Sequence, residues 1–98
     1  MMSPLSIRKI RDFENPLLYR KEYMFVVVHQ DEPTPSRKTL REEIAKLLGV
    51  DKDVVVVRRI KTEFGMNASK VEVHVYSNKD RMMEIEPLYI LKRNGIIS

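Results

Sequence analysis

Lys70-Val71-Glu72-Val73-His74-Val75-Tyr76 alternates apolar and polar residues without a break. A period of two is the mark of a strand buried on one face only. Val71, Val73 and Val75 are therefore expected to face a core, with Lys70, Glu72 and His74 turned to solvent on a sheet that has one open side. The partners of this strand lie upstream. Tyr23-Met24-Phe25-Val26-Val27-Val28 is β-branched and aromatic with apolar groups on both pleat faces, so Arg20 to His29 reads as a central strand. Val54-Val55-Val56-Val57 begins another, buried at its start and charged through Arg58-Arg59-Ile60-Lys61 to Phe64-Gly65, with its far end expected to project. A turn at Gly65-Met66-Asn67-Ala68 leads from it into the alternating strand. Leu5 to Asp12 supplies a first strand whose polar face, with Arg8, Lys9 and Arg11, is basic. Pro16 then fixes its own φ and biases Asn15 away from helix, which predicts a turn or bulged connection at Glu14-Asn15-Pro16-Leu17-Leu18.

Between the second and third strands the period changes. Leu40, Ile44, Leu47 and Leu48 fall at i, i+4, i+7 and i+8, one stripe of a helix that starts near Thr34-Pro35 after the loop Gln30 to Pro35 and stops at Gly49. Arg37, Lys38, Arg41, Glu42, Glu43 and Lys46 are placed opposite the stripe. Asn78 to Ile85, with Met82 and Met83, reads as a short helix ended by Pro87, after which Leu88-Tyr89-Ile90-Leu91 packs back. The order β-β-α-β-β-α predicts an α+β two-layer sandwich of the ferredoxin-like kind, a mostly antiparallel four-stranded sheet with helices on one face.

The 98 residues suit one domain, residues 1–98, and 43% hydrophobic with 33% charged residues suits a folded chain. With no cysteine, disulfides and thiolate zinc sites are excluded, and His29 and His74 alone do not complete a metal site. No apolar run approaches the ~18 residues of a membrane span, and Met1 to Arg8 lacks a signal peptide's apolar core, so no membrane partner and a cytoplasmic location are expected. Neither histidine, no carboxylate pair and no serine has the surroundings of a catalytic group. Three glycines, Gly49, Gly65 and Gly95, make no phosphate-cradling loop. The expectation is a protein that is not an enzyme and carries no cofactor. Tyr23 and Phe25 lie in a strand, but no stacking motif for unpaired bases accompanies them.

Lys and Arg outnumber Asp and Glu 18 to 14, for a net charge of +4. The basic residues come in clusters from separate segments: Arg20-Lys21, Arg37-Lys38 with Arg41, Arg58-Arg59 with Lys61, and Lys92-Arg93. Arginine forks and lysine ammonium groups suit phosphate contacts, which position a nucleic acid without reading its bases. Solvated surface charge explains the same spacing equally well.

Glu14-Asn15-Pro16-Leu17-Leu18 with Arg20-Lys21-Glu22, Pro33-Thr34-Pro35-Ser36-Arg37, Leu48-Gly49-Val50, Thr62-Glu63-Phe64-Gly65, and Glu86-Pro87 with Lys92-Arg93-Asn94-Gly95 tip that balance. In this order, over nearly the whole chain, they resemble the small-subunit ribosomal protein twenty-four family of the archaeal and eukaryotic type. The resemblance implies an α+β sandwich that stays in the mature small subunit, contacts small-subunit rRNA and neighbouring ribosomal proteins, and has no enzymatic activity. It also implies an archaeal source, since eukaryotic members usually carry a long basic extension after this point. One departure stands out. Where the family has a basic residue and a glycine around the hairpin's Ser69, this chain has Ala68 and Val71, and Lys70 is read as a partial stand-in for the missing cation. The expected rRNA-binding set is therefore Arg20, Lys21, Arg37, Lys38, Arg41, Arg58, Arg59, Lys61, Lys70, Lys92 and Arg93, on a protein that is a monomer outside the ribosome. The alternative is a protein-binding adaptor using the sheet edge or the second helix.

Overall fold

In a computed structural model, which describes residues 6–29, 35–62 and 68–97, the first element is a strand, β1 (Ser6–Asn15). It runs three residues past the expected Asp12, and a single 3-10 turn, Pro16–Leu18, then joins it to β2 (Arg20–Val28). Proline suits the first position of such a turn because the missing N–H has no partner to lose there. The Asn15 carboxamide oxygen accepts from the Leu18 N–H at 3.3 Å, and Tyr19 closes the turn at φ 56°. The loop at 30–34 and the turn at 65–67 lie outside the described residues.

β3 (Val55–Thr62) and β4 (Ala68–Tyr76) complete an open sheet in the order β1-β2-β4-β3, with every neighbouring pair antiparallel. The class is the expected α+β. Residues directly opposite one another in a ladder share a face, so the register assigns every side chain to one side of the sheet. Val55 and Val57 pair with Val75 and Val73, and Phe25 pairs with Val71. This face lies under helix α1 (Arg37–Leu48), which buries Leu40 and Ile44 completely. Val71, Val73 and Val75 do face this core. Each fully buried aliphatic side chain of this kind stabilises the fold by about 1.5 to 3 kcal/mol.

The helices are not on one face. Val56 pairs with His74 on the opposite side, where Val56 and Tyr76 pack against Met82 of α2 (Lys79–Ile85) and Ile90 and Leu91 of α3 (Leu88–Arg93). The valine run serves both sides: its alternate members fill two separate clusters, a possibility that the uniform sequence of the run conceals. His74, expected at the surface, is only 3% exposed under these helices.

Helix α1 departs from expectation at two points. It is capped by Ser36, whose hydroxyl accepts from the Thr39 N–H at 3.2 Å, so it begins later than Thr34-Pro35 suggested. Leu47 is 55% exposed, whereas Arg41 is buried. At about 100° per residue the buried arc runs from Leu40 through Ile44, Leu48 and Arg41 to Ala45, so Arg41 lies inside it and Leu47 falls just beyond its Leu40 margin.

Candidate nucleic-acid interface

The opening turns of α1 face the end of α3 across a cleft of about 550 Å³. Its lining includes Arg37, Lys38, Arg41, Lys52, Lys79, Lys92 and Arg93, against only two acids, Glu42 and Asp53. The walls are held by Arg41. Its Nε donates to the Val55 carbonyl at 2.8 Å, Nη1 to the Asn94 carbonyl at 3.1 Å and Nη2 to the Lys52 carbonyl at 2.7 Å, which ties α1 to the start of β3 and the end of α3. Burial lowers the Arg41 pKa, with Asp53 and Glu42 pulling the other way. Arg41 is thus a fixed part of the wall, facing three backbone acceptors.

Arg37 lines the cleft and is half-buried. Burial, then the like charge of Arg93, lowers its pKa, and its Nε is buried with no hydrogen-bond partner. Opposite charge inside the cleft is sparse: Lys52 Nζ lies 3.7 Å from Glu42. Arg93 lies over the Tyr89 ring, 5.5 Å from its centroid. Two arginines repelling one another beside an unsatisfied N–H constitute a site that an anionic oxygen would relieve.

A second basic area lies on the part of the sheet that α2 and α3 leave open. The ladders put Arg11, Met24, Glu72 and Arg59 side by side, and in the next row Arg8, Val26 and Lys70, with Lys61 opposite Lys70. Five cations from three strands therefore share one face with one acid. A bulge at Ile10 brings Arg8 and Arg11 to the same side, and a second at Arg58 turns that residue and Arg59 together.

Between the two areas the charge is balanced. Glu86, 4% exposed, accepts from Tyr76 Oη and Arg58 Nη1, the latter at 2.9 Å, and sits 2.8 Å from His74 Nδ1. Arg20 donates from Nη1 to Tyr76 Oη at 2.8 Å and from Nε to Glu22 at 2.7 Å. Burial pushes the Glu86 carboxyl up, but the bonds from His74 and Tyr76 and the charge of Arg58 outweigh it and hold the group below its ordinary value. Burial and the bond to Glu86 push Tyr76 up.

The eleven expected cations therefore divide. Arg37, Lys38, Lys92 and Arg93 meet at the cleft; Arg59, Lys61 and Lys70 share the open sheet face; Lys21 is exposed beside the Pro16–Leu18 turn, apart from both. Arg20, Arg41 and Arg58 are engaged by internal acceptors. Sequence reasoning missed Lys52, Lys79, Arg8 and Arg11. The last two were legible as the basic face of the first strand, but only the bulge puts them together. Among the described residues no group of three or more His, Asp or Glu is arranged to hold a metal, and no helix is long and apolar enough to cross a membrane.

Residues 5–95 match the family model described as Ribosomal protein S24e. The chain is 56% identical over 81 residues to the small ribosomal subunit protein eS24 of Pyrobaculum arsenaticum, covering 83% of this chain and 67% of that one. It is 41% identical over 92 residues to the protein of the same name from Methanosarcina mazei, covering 94% and 90%.

Proposed function

This chain belongs to the ribosomal protein S24e family, and from that premise we propose that it is a structural component of the small ribosomal subunit which binds folded rRNA through its basic surface, in the cytoplasm and without catalysing a reaction. The observation that carries this reading is the cleft between α1 and α3, where seven cations meet two acids and the Arg37 Nε has no hydrogen-bond partner. Backbone phosphates suit such a place: they are anionic, they accept several hydrogen bonds at once, and they need no base to be read. Away from the ribosome the chain is a monomer in this reading, because the outer strand β1 is charged along its length, with Arg8, Lys9, Arg11, Asp12 and Glu14, and pairing with a second copy would bury those charges. Neighbouring ribosomal proteins are the remaining partners, and the exposed Leu17, Leu88 and Tyr89 offer them apolar contact.

Sedimentation of the chain with small subunits of its source organism tests the placement. Co-migration that survives a moderate-salt wash is expected. A chain that stays at the top of the gradient, or that is captured by a protein in the absence of rRNA, would favour the adaptor reading instead.

A further inference from the structure

The two basic areas lie at opposite ends of β3. Arg41 fixes the cleft to Val55 and Lys52 at the strand's beginning, whereas Arg59 and Lys61 stand at its far end, beside Lys70. From Val55 to Lys61 the strand advances roughly 20 Å at about 3.3 Å per residue. That exceeds the Debye length of about 8 Å at physiological salt, so the areas act as separate charges on their surroundings. What lies between them does not join them. Arg20 and Arg58 are turned inward onto Glu22 and Glu86, and α2 and α3 cover the sheet there. The areas also differ in form: the cleft is a recess with fixed walls, and the open face is a shallow row of cations over Met24 and Val26.

We propose that the cleft and the open sheet face bind two different segments of rRNA, and that the chain's role in the subunit is to tie those segments together. This rests on the rRNA reading above and adds a second contact to it. A single phosphate backbone running from one area to the other would have to cross the region around Glu86, where Arg20 and Arg58 are already engaged by Glu22 and Glu86; two segments meet no such obstacle. The sheet between the areas is rigid, because both of its faces are packed at Val55, Val56 and Val57, so the spacing between the bound segments is set by the protein.

The chain contains no cysteine, so a single introduced thiol can carry an iron chelate that cleaves nearby RNA. Asp53→Cys places the probe at the cleft and Phe13→Cys beside the open face, both at exposed positions. Each labelled variant is assembled into small subunits and the rRNA cuts are mapped. Two sets of cuts in separate rRNA helices are expected, and Arg59→Gln/Lys61→Gln should remove protection at the second set while leaving the first. One continuous set of cuts shared by both probes, or cuts from one probe only, would overturn the tie. Protection of the rRNA by the unaltered chain gives the same answer without a label: two protected segments are expected, and one contradicts the proposal. If the unaltered chain does not enter the subunit at all, it is the rRNA reading that fails.

Discussion

Asn94 bonds both backbone polar groups of Val57: its Oδ1 accepts from the Val57 N–H at 2.9 Å and its Nδ2 donates to the Val57 carbonyl at 2.9 Å. Val57 lies on β3, the outer strand on this side of the sheet. One carboxamide therefore stands in for a fifth strand, and it is only 3% exposed. Asn94→Ala leaves a buried N–H and a buried carbonyl unmatched, at about 1 to 3 kcal/mol each. Urea denaturation should show a loss of about 2 to 4 kcal/mol; a loss below about 0.5 kcal/mol would mean that the edge is closed by something else.

Ile44 and Leu47 separate the buried arc of α1 from its margin. Ile44→Ala is expected to cost about 2 to 5 kcal/mol because the side chain is fully buried. Leu47→Ala, at a position 55% exposed, should cost under about 1 kcal/mol. Equal losses in thermal or chemical unfolding would contradict the orientation of the helix.

Arg58 and Arg59 are adjacent in sequence and opposite in role. Arg58→Ala removes a donor from Glu86 and should lower stability by about 1 to 3 kcal/mol. Arg59→Ala should leave stability within about 0.5 kcal/mol and weaken binding to small-subunit rRNA. Unfolding curves and binding isotherms on the two single variants decide it, and a reversed pattern would move Arg58 to the surface.

Glu86 makes stability depend on pH in a defined direction. Its folded pKa lies below the ordinary 4.5, so between those two values the unfolded chain binds a proton that the folded chain refuses. The stabilisation is complete above about pH 4.5 and is lost as pH falls through the folded value. Glu86→Gln should lower stability at neutral pH by about 2 to 4 kcal/mol, because Arg58 loses its carboxylate and Arg20 is left with Glu22 alone. It should also flatten the decline below pH 4.5. A variant whose stability falls with acid as steeply as the parent's would remove Glu86 from this role.

The strands, the first helix and the antiparallel class were legible because period is a local property: Lys70 to Tyr76 alternates, and Leu40, Ile44 and Leu48 recur on a helical turn. What could not be read depended on register. Val55 and Val56 look alike in sequence and lie on opposite faces, and the position of α2 and α3 follows from that difference. The same limit governed the site. Basic residues could be counted, but whether an arginine faces solvent or a carboxylate 28 residues away, as Arg58 faces Glu86, is decided by the pairing of β3 with β4. Arg8 and Arg11 share a face only because Ile10 bulges, and nothing in the spacing of the first strand announces a bulge.

If the cleft holds rRNA, rRNA affinity over a salt series will differ between the parent and Arg37→Gln/Arg93→Gln. Neither side chain has a hydrogen bond to a carboxylate among the described residues, and the contact of Arg93 with the Tyr89 ring is worth about 0.5 to 1 kcal/mol, so the variant should remain folded with at most a small shift of its urea midpoint. Each lost phosphate contact should flatten the log-log salt slope by about 0.7 to 0.9, so the pair should flatten it by roughly 1.5, with affinity reduced alike for RNAs of different sequence. A folded variant whose affinity and slope match the parent's would show that the cleft does not hold rRNA.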